Sequence, residues 1–113
     1  MLNRTFDEIG NSIIESGIKY CQDMIKCDKH EIKSYKASIK KNKENMREGL
    51  LRNSPVWFFD FINDFIRRDK DRIEKCKVSI KKQEARLVKW QIEKFVASEN
   101  KFKVIQGGIR KQE

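Results

Sequence analysis

Apolar residues, with a few polar interruptions, recur along this chain at intervals that alternate between three and four. This spacing is typical of a helix that packs along one seam against a single partner helix. The pattern therefore predicts an all-α fold with two long helices. The seam positions are Ile18, Cys21, Ile25, Asp28, Ile32, Tyr35, Ile39, Asn42 and Met46 in the first helix, and Phe59, Ile62, Ile66, Asp69, Ile73, Cys76, Ile80, Gln83, Leu87 and Trp90 in the second.

A single break separates the two helical patterns. Pro55, the only proline, suits the first turn of a helix, and Ser54 before it is a good N-cap residue. Asn53 can adopt the left-handed conformation that ends the preceding helix. So short a connection makes the helices antiparallel, and residues 1–113 are predicted to form one coiled-coil hairpin. The expected boundaries are about 3–51 for the first helix, 52–55 for the turn, about 55–105 for the second helix and 106–113 for a mobile tail.

The predicted hairpin also has a predicted register. Facing residues should have numbers that sum to about 108, which sets Tyr35 near Ile73 and Ile32 near Cys76. Polar seam residues such as Asp28 weaken this packing. They either fix the register or mark a marginal hairpin that a partner stabilises.

The start of the first helix follows a different phase. Its early apolar row, Leu2–Phe6–Ile9–Ile13, is out of step with the seam, which predicts a shift near residues 13–14. Gly10 and Gly17 lie one heptad apart in the same stretch. They either permit bending or a close approach, or are a weak point without a role.

The chain is strongly basic, with a net charge of +9 among 38% charged residues. Two rows of cations flank the predicted seam on opposite sides, so charge surrounds the hairpin instead of forming one duplex-binding face. The rows are either solvated coiled-coil flanks or contacts for an acidic partner. The basic row of the first helix is Lys26, Lys29, Lys33, Lys36, Lys40, Lys43 and Arg47, and that of the second is Arg68, Arg72, Lys75, Lys82, Arg86 and Lys89.

Four aromatic residues crowd the start of the second helix on more sides than one facing helix can cover. This tip cluster consists of Trp57, Phe58, Phe61 and Phe65. Exposed aromatic groups on a highly charged protein are typical of a binding anchor. The alternative is a structural cap in which they fold over Leu50 and Leu51.

Several classes of chemistry have no support in the sequence. There is no phosphate-binding loop, dinucleotide fingerprint or nucleophile triad, so no enzymatic activity and no cofactor are expected. Cys27 and His30 lack two further ligands for a metal, and three cysteines without a disulfide framework suggest a reducing compartment. The N-terminus lacks a secretory signal, and no apolar run reaches the length of a membrane span.

A small basic hairpin of this kind resembles the stalk proteins of type III secretion systems, the FliJ/YscO/InvI family, and especially its virulence-system members. The resemblance covers nearly the whole chain. It depends on the Leu2–Phe6–Ile9 start, the Lys-rich heptads from Lys26 to Arg47, the Asn53-Ser54-Pro55 break and a second helix that runs through Trp90 and Phe95.

The resemblance implies a specific role. Such proteins are similar to the shaft of rotary ATPases: they bind inside the hexameric secretion ATPase, contact the export gate and in some cases bind export chaperones. The protein would be cytoplasmic, at the secretion apparatus of the inner membrane. The tip cluster would face the gate, and the ATPase would contact the end that contains Leu2, Phe6, Phe102, Val104 and Ile105. The alternative is a nucleic-acid-binding or phage-type basic coiled coil, although nucleic acid is not the expected partner.

Overall fold

Two helices make up the fold. The computed structural model describes the backbone of residues 6–112 and the side chains of residues 8–99. Helix α1 runs over Phe6–Leu51 and helix α2 over Val56–Gln112, with no strand in the described backbone. The predicted all-α helical hairpin is confirmed. Helix α2 continues past the predicted end near residue 105, because Gly107 and Gly108 lower helix propensity without forbidding the helical conformation.

The turn between the helices is a Schellman motif centred on Asn53. This residue has φ 53°, the left-handed conformation that the sequence predicted. The Ser54 amide donates to the Gly49 carbonyl at 2.9 Å, and the Asn53 amide donates to the Leu50 carbonyl at 3.3 Å. These two hydrogen bonds satisfy carbonyls at the end of α1 that would otherwise have no partner. Because the chain reverses direction at Asn53, only the four residues 52–55 separate the end of α1 from the start of α2.

The chain divides into two compact units, each formed by one stretch of α1 and one of α2. The termini unit consists of residues 1–23 and 83–113. The turn unit consists of residues 24–82.

In the turn unit, the predicted seam positions are all buried or half-buried. Ile62, Ile66 and Ile73 form the buried apolar centre. The Cys76 thiol contacts the Glu31 carboxylate at 3.5 Å, and the Arg72 guanidinium lies 5.7 Å from the centre of the Tyr35 ring. Each pair of numbers sums to 107, which agrees with the predicted register.

The termini unit has the same register. Cys21 is the most deeply buried side chain, with 1% of its surface exposed. The Trp90 indole lies directly over Gly17, and an ion pair of 2.7 Å joins Lys94 to Glu15 across the helices. The residue numbers of the Gly17–Trp90 pair sum to 107 and those of the Glu15–Lys94 pair to 109, which is close to the predicted 108. The exposed surface of Lys94 and Glu15 makes their ion pair a weak contributor to stability.

The predicted change of phase at the start of α1 is confirmed. Ile9 and Ile13 are exposed, whereas Ile14 and Ile18 are half-buried. The structure also gives the two glycines different surroundings. Gly17 permits the close approach of Trp90, while a Cβ atom at Gly10 would meet nothing within 4 Å. Ile9 and Ile13, the two described members of the early apolar row, therefore face outward from the seam of this unit.

Candidate functional site

Three of the four aromatic residues in the tip cluster are exposed in the turn unit. Trp57, Phe61 and Phe65 are 68%, 58% and 41% exposed. They follow one another at intervals of four, so they form a stripe along one face of α2. Phe61 and Phe65 pack edge to face, with ring centres 4.8 Å apart. The Arg68 guanidinium, 5.9 Å from the centre of the Phe65 ring, continues this stripe with a cation.

Phe58 differs from the other three aromatic residues. It is half-buried, packs against the Gly49 backbone of α1 and meets Phe59 edge to face at 5.5 Å. A side chain larger than hydrogen at position 49 would meet the Phe58 ring, since a Cβ there would lie 2.5 Å from its Cε1. Phe58 thus closes the packing between the helices near the turn. Its neighbours Phe61 and Phe65 border an open groove of about 400 Å³.

The cap alternative for this cluster does not fit the structure. Leu50 and Leu51 would have to lie beneath the aromatic rings, but they are 68% and 85% exposed. Val56 is also 76% exposed. The turn therefore presents additional aliphatic surface beside the aromatic stripe, and large exposed apolar patches on charged proteins are typical of interaction sites.

Every member of the α1 basic row is exposed in the turn unit. Within the described side chains, none of its seven members forms an ion pair or a hydrogen bond. The six cations of the α2 row are also exposed, but Arg68 and Arg72 rest on aromatic rings and Arg72 contacts Asp69 at 3.5 Å. The two rows therefore differ in how far their charge is already satisfied inside the protein.

The register reveals cations that the sequence reasoning did not single out. Lys70 and Lys77 directly follow seam residues of α2, as Lys29 and Lys36 do in α1. In an antiparallel pair these positions flank the same side of the seam, so Lys29 faces Lys77 and Lys36 faces Lys70. Lysines that face one another repel, and an anionic partner would relieve that repulsion. The sequence could have predicted these two cations, because each directly follows a seam position of α2.

Charge is unequally shared between the units. The turn unit contains 17 basic and 9 acidic side chains. The described side chains of the termini unit, residues 8–23 and 83–99, include 4 basic and 6 acidic ones. The excess of positive charge in the described residues is therefore confined to residues 24–82, which is where an acidic partner would bind.

An acidic cluster interrupts the seam of the turn unit. Asp28 is 8% exposed and Cys76 is 7% exposed, and both approach the exposed carboxylate of Glu31. One ligand-type atom from each lies within 4.8 Å of the other two. Burial raises the pKa of the Cys76 thiol, and its hydrogen bond to Glu31 and the charges of Glu31 and Asp28 raise it further. The thiol is therefore protonated as it donates to Glu31.

The predicted ATPase contacts lie outside the described side chains, which exclude Leu2, Phe6, Phe102, Val104 and Ile105. Nearby residues of the termini unit are described. Tyr20, Ile92 and Phe95 are exposed by 56% or more. A groove of about 700 Å³ runs beside Trp90, with Arg86 and Lys89 among its lining residues. This unit thus has apolar surface of its own, which the sequence reasoning placed only at the two termini.

Comparison with known proteins gives no match. No protein-family model matches the chain, and no curated protein or solved structure is significantly similar to it. No helix among the described residues is both long enough and apolar enough to cross a membrane.

Proposed function

We propose that this chain is a protein-binding helical hairpin without catalytic activity. The observation that carries the proposal is the exposed apolar surface at the turn, formed by Trp57, Phe61 and Phe65 together with Leu50 and Leu51. Aromatic groups that lose water on binding supply much of the energy at protein interfaces. More particularly, we propose that the protein is a central stalk of a type III secretion ATPase.

In this proposal the hairpin binds inside the hexameric ATPase ring near its termini and contacts the export gate through the tip cluster. Two features support it. The antiparallel pair in each unit is like the shaft of a rotary ATPase in its basic design. Its apolar surface is also present in both units, at Ile92 and Phe95 as well as at the tip cluster, so the chain offers surfaces for two partners.

The charge of the turn unit supports acidic partner surfaces. The unpaired lysines of the α1 basic row have no internal carboxylate to satisfy them. A ring or gate lined with carboxylates would bind them with little reorganisation, and it would speed association at low salt.

The first experiment tests the tip cluster. Trp57→Ala with Phe61→Ala removes two exposed rings, so we expect unchanged helix content and a melting temperature within a few degrees of the parent. Gate binding should weaken by at least about 2 kcal/mol if these rings are hot spots. Val78→Ala, which truncates a 54% exposed side chain elsewhere in the turn unit, is the matched control. If the parent and the double mutant bind the gate equally well, the tip cluster is not part of the gate interface.

The second experiment tests the termini. Deletion of residues 1–6 and 102–113 should abolish stimulation of the hexameric secretion ATPase in a hydrolysis assay. The turn unit should keep its helical circular dichroism signal, because its seam lies within residues 24–82. Full stimulation by the truncated protein would contradict an ATPase contact at the termini.

A second candidate function is nucleic-acid binding, and the facing lysine pairs favour it. Charge would dominate such binding, so the logarithm of the affinity should fall steeply with the logarithm of salt concentration. Replacing Lys29 and Lys36 by Glu, one lysine from each facing pair, should then weaken duplex or single-stranded binding and flatten the slope. Tight binding of the purified protein to nucleic acid at physiological salt, lost in this variant, would favour this candidate over the secretion stalk.

A further inference from the structure

The acidic cluster in the seam of the turn unit has the composition of a metal site. Asp28 and Glu31 are one helical turn apart on α1, and Cys76 faces them from α2. We propose that Asp28, Glu31 and Cys76 form a site that binds Zn²⁺ between the two helices. This proposal does not depend on the secretion role.

An unpartnered atom points to a ligand in this cluster. The Oδ2 atom of Asp28 is fully buried and accepts no hydrogen bond from the described residues, in a side chain that is 92% buried. An unsatisfied buried carboxylate oxygen costs several kcal/mol as a rule, so such atoms occur where something else satisfies them. A carboxylate oxygen of Asp28 lies within 4.8 Å of ligand-type atoms of Glu31 and Cys76, so a cation shared by the three side chains could satisfy this carboxylate.

The two carboxylates of the cluster also lack a cationic partner among the described side chains. Neither Asp28 nor Glu31 forms an ion pair with any of the described side chains. The turn unit nevertheless contains 17 basic residues. The basic row of α1 instead lies along another face of the helix. The buried carboxylate of Asp28 and the nearby exposed carboxylate of Glu31 therefore have no cationic partner among the described side chains, and a divalent ion would supply one.

The chemical types of the three ligands favour Zn²⁺. A thiolate with two carboxylates is a mixed set that favours Zn²⁺ over Mg²⁺ or Ca²⁺, because those two ions prefer oxygen ligands alone. Three protein ligands would leave one coordination position for water. When the metal binds, the Cys76 thiol releases its proton to solvent and the sulfur coordinates Zn²⁺ as a thiolate.

The geometry requires only a small contraction. A tetrahedral ion with bonds of about 2.0–2.3 Å holds its ligand atoms roughly 3.3–3.8 Å apart. The Cys76 sulfur is already 3.5 Å from Glu31 Oε2. The other separations in the cluster are at most 4.8 Å, so they would close by about 1 Å or less through small side-chain rotations.

The test uses the purified protein with all of residues 1–113. Titration with Co²⁺, a spectroscopic substitute for Zn²⁺, should produce a thiolate-to-metal charge-transfer band at one equivalent, and Zn²⁺ should displace it. Zn²⁺ should also raise the melting temperature, because the ion binds only the folded pairing of α1 with α2. A chelator should reverse both effects.

Substitutions identify the ligands. Cys76→Ser should remove the charge-transfer band, and Asp28→Asn should lower Zn²⁺ affinity by more than about tenfold, since even outer-shell changes cost about 10–100-fold. The matched control is Cys27→Ser with His30→Ala, which removes an exposed thiol and imidazole next to the cluster. This control should bind Co²⁺ like the parent.

Two results would overturn the proposal. One is the absence of a thiolate band in the parent protein at saturating Co²⁺. The other is a band that survives Cys76→Ser but disappears in the Cys27 and His30 control, which would assign binding to the exposed pair. The parent spectrum decides the question even if a variant folds poorly.

Discussion

Gly17 and Gly10 make a matched pair for measuring how closely the helices pack. Both lie in α1 one heptad apart, and the same substitution by alanine removes the same backbone freedom. At Gly10 a Cβ atom meets open space, so only helix propensity changes. Gly10→Ala should therefore stabilise the protein by up to about 1 kcal/mol.

At Gly17 the same Cβ atom would collide with the Trp90 indole. It would lie 2.6 and 2.7 Å from Cδ2 and Cζ2 of the ring and would overlap Cε2. These are atoms of a rigid ring that is itself half-buried in the seam, so Trp90 must move outward. Overpacking of this kind costs about 1–3 kcal/mol, against a propensity gain of about 1 kcal/mol. Gly17→Ala should be neutral or destabilising by up to about 2 kcal/mol.

Urea denaturation followed by circular dichroism measures both variants, and a double-mutant cycle isolates the contact. In a Trp90→Ala background the collision is gone, so Gly17→Ala should become stabilising, as Gly10→Ala is in the parent. If Gly17→Ala stabilises the parent protein as much as Gly10→Ala does, the close approach of Trp90 does not exist in solution.

Three further outcomes follow from the packing. Asn53→Gly should keep or slightly raise the melting temperature while Asn53→Val lowers it, because φ 53° is strained for a β-branched residue. Ile73→Asp should unfold the turn unit, seen as a large loss of helical signal, because it puts an unpaired charge at a position only 7% exposed. With a chelator present, mass spectrometry should show that iodoacetamide modifies the exposed Cys27 well before the buried Cys21 and Cys76. The raised pKa of the Cys76 thiol lowers its thiolate fraction and so slows its modification further. Equal labelling of all three thiols would contradict the seam packing.

The sequence by itself determined the helical hairpin, its turn and its register. Apolar residues spaced alternately by three and four lie on one face of a helix, so this spacing indicates a helix that packs along that face. Asn53 before Ser54 and Pro55 marked the turn because few residues adopt the left-handed conformation without strain. Such signals are local, so they need no knowledge of distant contacts.

Only the tertiary structure decided which features act together. The cluster of Asp28, Glu31 and Cys76 joins residues that are up to 48 positions apart, and no local pattern marks the unpartnered oxygen of Asp28. Likewise, the packing of Trp90 on Gly17 and of Phe58 near Gly49 depends on a few ångströms of space between α1 and α2. Periodicity predicts which faces meet, but packing and hydrogen bonding between faces depend on side-chain shape in three dimensions.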